Sequence, residues 1–369
     1  VNKDTISLVV NGLAYDEDWD NIRVTRSLDM LCASFEFTTT QEQPYEMTDW
    51  PIKLGNECSV YIGETLAVTG YIEDINISYD RNSHTVQVAG RDKTADLVDC
   101  GRGKKPYSVK GITIANTIKK LLEPHGIELI IDSSAAKAAN RAPREFTTFD
   151  MGDSLAVMIL KLVKREGIFP IATPEGALML TATGTKRASD SIQTGINVLS
   201  GGLKQSNKEV YSVYLTKGIS RGADNLIVDN FTYDSIFEDK SKLVPRYRPF
   251  TNIEFGGDVG TGKSRAEWEA KYRAANSRLY GYTVQGWVQK NGDIWEPNTI
   301  VKLQDDVFDI DAEMLINACE YQQTSKGTIT SLQLCNPEKY KIKAEIDKIR
   351  AMSDPKSTWK IYYEEIKND

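Results

Sequence analysis

Residues 257–264 read Gly-Asp-Val-Gly-Thr-Gly-Lys-Ser and fit G-x-x-x-x-G-K-[ST] at every position. In that pattern the backbone amides of a glycine-rich turn cradle phosphates, the lysine reaches the β- and γ-oxygens, and the hydroxyl joins a magnesium ion. Gly257, Gly262, Lys263 and Ser264 would then form a nucleotide site. Such a site needs a strand before it that is central in a parallel sheet and therefore continuously apolar. Thr251-Asn252-Ile253-Glu254-Phe255 alternates instead, and the segment 299–305, where an acidic magnesium ligand would end a second apolar strand, is interrupted by Lys302. A capped helix accounts for the same residues. Ser264 and Glu267 make a capping box, Glu267/Lys271 and Glu269/Arg273 pair on the exposed side, and Trp268, Tyr272, Ala275 and Leu279 form the buried stripe. Gly256, Gly257, Gly260 and Gly262 are then a mobile connector, the phosphate-loop match is a decoy, and no cofactor is expected.

Metal and acid–base chemistry have less material. Asp305, Asp306, Asp309, Asp311 and Glu313 form an acidic run, but a calcium loop needs a glycine at its sixth position and a glutamate at its twelfth. Neither is present in register, so a solvated loop is expected. His84 and His125 are the only histidines, too few for a histidine-rich zinc site or a nucleophile relay. Cys32, Cys58, Cys100, Cys319 and Cys335 show no C-x-x-C spacing and read as reduced thiols of a chain that folds in a cytoplasm. No catalytic residue and no metal site is expected.

The elements that would position these residues follow from length and pattern. A chain of 369 residues, 40% hydrophobic and 26% charged, suits two to four globular domains, and it contains no apolar run long enough to span a bilayer. Its start shows neither a basic segment nor an apolar one, so no secretory signal is expected. The net charge of -7 opposes broad binding to nucleic acid phosphates.

Residues 6–10 alternate polar and apolar and run into Asn11-Gly12, and 19–26, 33–39, 58–62, 66–79 and 84–90 have the same strand character. They predict a first antiparallel β-barrel domain over 1–103, with 68–90 its most regular hairpin. The glycine-rich basic stretch 100–106 reads as a solvated linker at a domain boundary. A small α+β domain follows over 104–190. It has a helix 113–123 that buries Ile114, Ile118, Leu121 and Leu122, a short buried strand 127–131, a helix 154–166 capped by Asp153 and stopped at Gly167, and a hairpin turning at Pro174-Glu175-Gly176. Residues 191–250 are a connecting β segment with turns at Asp224-Asn225 and Asp234-Ser235, and part of it is a candidate to complete the first barrel. Strands at 282–289, 299–303, 313–322 and 328–335 then predict a second β-barrel domain over 251–336, before a helical or extended tail over 337–369. The fold class is α+β, mostly β: two similar antiparallel β-barrel domains, a small α+β domain and the tail.

Gly286-Trp287, Trp295-Glu296-Pro297-Asn298 and the hairpin closing at Gly327-Thr328, with Gly152-Asp153-Ser154-Leu155 and Gly176-Ala177-Leu178, resemble one family. It is the central hub protein of contractile phage tail baseplates, of the Mu-like myophage type. The resemblance implies a structural protein and no enzyme. Two similar β-barrels would lie side by side in each subunit, and three subunits would form a homotrimeric ring of pseudo-sixfold symmetry that joins the tail tube to the spike and lets DNA pass. The implied partners are further copies of the chain, the tail tube protein, the tail spike protein and other baseplate proteins, with DNA only as passing cargo and no stable membrane insertion. The implied location is the virion's tail baseplate, assembled in the bacterial host cytoplasm. With no lysozyme-like or β-helical segment here, the spike would be a separate chain. A faint internal echo supports duplication: Trp50-Pro51, Asn56 and Val60 precede one long hairpin as Trp295, Pro297, Asn298 and Val301 precede another. Acidic residues lining a ring would keep DNA from sticking. The rival readings are the hub of a phage-related contractile secretion apparatus and a P-loop nucleotide hydrolase.

Overall fold

A computed structural model describes residues 5–16, 19–41, 51–80, 84–103, 108–109, 112–141, 147–148, 152–163, 166, 168–184, 186–219, 231–240, 243–255, 259–324 and 327–340. Two compact units divide the chain, Val1–Leu203 with Tyr280–Pro337, and Lys204–Leu279 with Glu338–Asp369.

The first unit begins with seven strands: β1 (Ile6–Val10), β2 (Leu13–Tyr15), β3 (Asn21–Ser27), β4 (Ser34–Gln41), β5 (Glu57–Ile62), β6 (Thr65–Tyr79) and β7 (His84–Asp92). They lie in the order β3-β4-β7-β6-β5-β1-β2, and each neighbouring pair is antiparallel. Strict alternation of buried and less buried residues along β7 turns one face to the core, as a period of two requires. Asn11 and Gly12, with φ of 53° and 81°, make the two-residue turn between β1 and β2 that Asn-Gly favours. The long β6–β7 hairpin is less regular than its pattern predicts, because a bulge falls between Ile72 and Asp74. The extra residue resets the alternation: Val68 and Ile72 are buried before it, and Ile75 and Ile77 pack on the same core after it.

A helical layer follows, with α1 (Ala95–Asp99), β8 (Ser108–Val109), α2 (Ile114–Leu122), β9 (Leu129–Ile131), α3 (Ala136–Ala139), β10 (Thr147–Thr148), α4 (Leu155–Val163), β11 (Phe169–Ala172) and β12 (Leu178–Thr181). Thr113 caps α2 by accepting the Asn116 amide at 3.2 Å, and Ile114, Ile118, Leu121 and Leu122 are buried. On α4 the buried face is Leu155, Met158, Ile159, Leu162 and Val163, the three-and-four spacing of the sequence. Its cap is Ser154, which accepts the Val157 amide at 3.5 Å, and not Asp153, which is drawn off by Lys161 at 2.6 Å. Gly167 lies outside the described residues. Cys100 and Gly101 are not free linker either: the Leu155 amide donates to the Cys100 carbonyl at 2.9 Å, and Gly101 bridges Ser154.

The rest of the first unit comprises β13 (Lys186–Arg187), β14 (Ile192–Gln193) and β15 (Val198–Gln205), and then, after the second unit's elements, β19 (Arg278–Gln285), β20 (Thr299–Asp305), β21 (Ile310–Thr324) and β22 (Gly327–Cys335). Here β20-β21-β22 repeats β5-β6-β7. Both middle strands have 15 residues and both last strands nine. The bulges match as well: Ile316/Ala318 in β21 occupies the place of Ile72/Asp74 in β6, and Gln322 faces Ile329 as Ser78 faces Thr85. The expected α+β, mostly β class holds, but the two sets of strands do not close as separate barrels. β3 pairs with β21 from Asn21↔Thr324 to Ser27↔Ala318, which joins both sets into one 14-stranded sheet. A shared apolar core runs from Ile6 and Phe37 to Trp295 and Leu334. The early part of the 191–250 segment completes the second set, not the first, since β14 pairs with β20 and β15 neighbours β19.

The second unit holds a three-stranded sheet of order β17-β16-β18, from β16 (Val213–Ile219), β17 (Phe231–Glu238) and β18 (Pro249–Phe255), packed on α5 (Val259–Asn276). Asp234 and Ser235 are not a turn. They lie within β17 opposite Lys217 and Thr216, where strand alternation exposes Asp234 and buries Ser235. The expected turn at Asp224-Asn225 lies outside the described residues.

Candidate functional site

The phosphate-loop candidate takes a form other than either reading of its residues. Helix α5 starts at Val259, so Gly262, Lys263 and Ser264 sit within it and Ser264 cannot be its N-cap. Gly257 lies outside the described residues. Gly262, Ala266 and Ala270 recur every four residues and are buried, while Trp268 and Tyr272 are only half-buried and stack on each other at 5.2 Å. Small residues win the buried stripe because they let the helix lie close to its sheet, and that gain offsets the roughly 1 kcal/mol that a glycine costs inside a helix. The Glu269–Arg273 pair forms at 2.8 Å, but on this buried side and not the exposed one. Arg273 also lies over the Phe250 ring at 4.2 Å and reaches Glu209 at 2.8 Å. Lys263 is exposed. The strand ahead of the helix, β18, pairs in parallel with β16 at the edge of its sheet, where a phosphate loop would need a central strand.

The acidic run resolves into separate tasks. Asp305 is buried and accepts the Tyr282 hydroxyl at 2.6 Å, the Val307 amide at 2.7 Å and the Phe308 amide at 3.2 Å. Burial works to raise its pKa, but these donors outweigh it and hold the carboxyl below its ordinary value. Burial first, and then the Asp305 carboxylate, push the Tyr282 hydroxyl well up. Asp311 pairs with Lys302 and Glu313 with Arg187.

The tryptophan–proline–asparagine residues, in contrast, converge. Gly286, at φ 75°, ends β19; its amide donates to the Thr328 carbonyl at 3.0 Å and its carbonyl accepts the Thr330 hydroxyl at 2.6 Å. The chain then folds inward. Trp287 donates its indole N–H to the Gln322 carbonyl at 3.1 Å, the Trp295 amide donates to the Trp287 carbonyl at 3.1 Å, and the Trp295 carbonyl accepts the Tyr321 hydroxyl. Both indoles are buried in the shared core. Between them Gly292, at φ 87°, makes the turn, and the Gln289 amide closes it on the Asp293 carbonyl at 2.8 Å.

This hairpin grips the bend between β13 and β14. Ser189 donates its amide to Gln289 Oε1 at 2.8 Å, and the Lys290 amide donates to Asp190 at 2.8 Å. Glu296 lies 2.9 Å from Lys186 and 3.6 Å from Arg26, at the wall of a cleft of about 350 Å³ that Pro297 and Asn298 also line. Asn298, at φ 64°, accepts the Gly184 amide and donates to the Ala182 carbonyl. Gly327, at φ 120°, begins β22. These side chains tie the 286–298 hairpin to Tyr321 and Gln322 of β21 and to the segment 182–190. Among the described residues no group of three or more His, Cys, Asp or Glu is arranged to hold a metal ion, and no helix is long and apolar enough to cross a membrane.

Two positioning groups escaped the sequence reading. Asp92, buried, accepts the Ala33 amide at 2.7 Å, the Thr94 amide at 2.8 Å and the Thr94 hydroxyl at 2.6 Å, locking the chain where β7 leaves the sheet. Burial raises its pKa against these donors. The Asp-x-Thr spacing ahead of α1 was the available signal. Arg91 clasps Glu73 at 2.5 Å and Asp99 at 2.6 Å, for which no local pattern exists.

Known proteins match along most of the chain. Residues 5–92 match the family described as Mu phage baseplate assembly protein GpP-like, N-terminal; residues 94–182 match baseplate hub protein gp44-like, second domain; and residues 259–343 match Mu phage baseplate assembly protein GpP, fourth domain. Baseplate hub protein gp44 of Escherichia phage Mu is 24% identical over 351 residues, 93% of this chain and 91% of that protein. The 43 kDa tail protein of prophage MuSo2 from Shewanella oneidensis superposes with a TM-score of 0.81 at 26% identity, over 91% of this chain and 100% of that one. A tail protein from Neisseria meningitidis MC58 shares the fold at TM-score 0.75 and 18% identity, over 92% and 98%.

Proposed function

We propose, from the chain's membership of the Mu-type baseplate hub family, that it is the hub of a contractile phage tail and that three copies close into a ring between tail tube and spike. The observation that carries this reading is the duplication within one sheet. Two sets of strands with matching bulges, joined side by side through β3 and β21, give each copy two nearly equivalent faces. Three such chains present six, which suits a sixfold tube on one side and a threefold spike on the other. A head-to-tail contact of this kind either closes into a ring or grows into a filament. The hub acts by shape: it binds tube, spike and other baseplate proteins, and it leaves a passage for DNA, with no reaction assigned to any residue. As a virion component it is assembled in the host cytoplasm.

Light scattering on the purified chain, alone and mixed with the tube protein of the same tail, tests the ring. The expected mass is three times the 41.3 kDa of one chain. A strict monomer at every concentration in both samples overturns the reading.

A further inference from the structure

We infer that the ring is closed by a β-ladder between β15 of one copy and the second half of β6 of the next, with Gly202 opposite Ser78. This rests on the ring reading above and names the surface that makes it. In β21 the two halves of one edge have different partners: Ile310 to Leu315 pair with β20, and Ala318 to Thr324 pair with β3. In β6, the matching strand, Thr65 to Tyr71 pair with β5, but among the described residues the same edge from Asp74 to Tyr79 has no strand against it. At the other end of the sheet, among the described residues, β15 neighbours β19 alone. The two free edges are the counterparts of the two strands already joined inside the chain.

The register follows from the repeat. Tyr282 of β19 faces Leu332 as Phe37 of β4 faces Val88, so β19 stands where β4 stands. A Cβ on Gly201 would lie 2.9 Å from the Tyr282 ring, and the Ser206 amide donates to the Ser277 carbonyl at 2.9 Å. That antiparallel alignment sets Gly201 against Tyr282 as Ile22 is set against Phe37. Ile22 is paired across the internal joint with Gln323, whose counterpart in β6 is Tyr79. Copying the joint places Gly201 against Tyr79, Gly202 against Ser78 and Leu203 against Ile77. The occupant is a second copy of this chain, because the chain itself already builds this joint once. Both edges are also poor solvent surfaces: Tyr79 is 84% exposed and Leu199 57%, and unpaired strand edges are a liability that assembly removes.

The test is a cysteine pair in the full chain. Ser78 is exposed and a Cβ on Gly202 would meet nothing within 4 Å, so Ser78→Cys and Gly202→Cys suit the fold. Oxidation of the double variant is expected to give covalent oligomers on non-reducing gels, up to a closed trimer, and each single variant none. Ser78→Cys with Leu199→Cys, out of register, is expected to cross-link far less. A trimer by mass whose Ser78/Gly202 pair does not cross-link, or whose out-of-register pair cross-links as well, overturns this edge and leaves the ring standing. A chain that stays monomeric with the tube protein overturns both.

Discussion

Asn298 holds Gly184 from 114 positions away, accepting its amide on Oδ1 at 2.8 Å while donating Nδ2 to the Ala182 carbonyl at 3.0 Å. Gly184 is itself confined, with φ 61° and a would-be Cβ 2.8 Å from Ile300. Asn298→Ala removes both partners and leaves a side chain poorly suited to φ 64°, a combined cost of about 2–4 kcal/mol. Asn298→Gly is expected to lose the bonds but relieve the backbone, so urea denaturation is expected to rank it roughly 1 kcal/mol above the alanine variant.

The β6–β7 hairpin has no room at its crossing. A Cβ on Gly90 would stand 2.0 Å from the Tyr71 carbonyl oxygen and 2.5 Å from the Phe35 ring. Gly90→Ala is therefore expected to destabilise by several kcal/mol, on the order of 4 or more, or to leave the chain insoluble. Gly152→Ala, where the added carbon meets nothing, is expected to melt within a degree or two of the parent.

Acid sensitivity is expected at the Tyr282–Asp305 bond. Asp305 has a folded pKa below its unfolded value of about 3.9. The stability it contributes is thus complete above that unfolded value and is lost as pH falls through the folded one. Tyr282→Phe deletes one donor to the carboxylate, at about 1.5–3 kcal/mol near pH 7. The gap between parent and variant in urea midpoints is expected to narrow below about pH 4; a gap that widens there contradicts the assignment.

Thiol chemistry is expected to separate the cysteines. Cys32, Cys58, Cys319 and Cys335 are buried, and burial pushes the Cys58 thiol up to about 12, while Cys100 is only half-buried. Titration of the native chain with a thiol reagent at pH 8 is expected to show one fast thiol and four that react only on unfolding. Cys100→Ser removes the fast one and gives a clean background for the engineered pair.

Nucleotide binding is the remaining measurement. Calorimetric titration with magnesium–ATP is expected to give no saturable heat, in the parent or in Lys263→Ala. A saturable signal lost in that variant would restore the phosphate-loop reading of Gly262 and Lys263.

Residue pattern carried the faces of these elements well and their partners poorly. Alternation marks β7, three-and-four spacing marks α2 and α4, and Asn-Gly marks the turns at Asn11 and Asn291, because each is decided within a few residues. The pairing of β3 with β21 is decided by a sheet edge, which leaves no local period. Helix α5 misled for the same reason: four glycines look like a loop, but the sheet beneath them favours small residues at Gly262, Ala266 and Ala270 over the aromatic stripe. The role of Trp295 and Asn298 as a clasp needed the partners Tyr321 and Gly184, which sequence does not place.

The β3–β21 joint also sets an order in time. β3 leaves the ribosome about 300 residues ahead of the strand that will cover it, and at ordinary synthesis rates that is roughly 15–60 s of waiting with an edge exposed. A nascent hub is then a set of strands holding its place open for its own far end, and chains cut short before Ile310 carry that open edge permanently. Premature termination here would yield sticky fragments able to pair with the growing edges of intact copies, so the late-made strand guards the early-made one against the chain's own siblings.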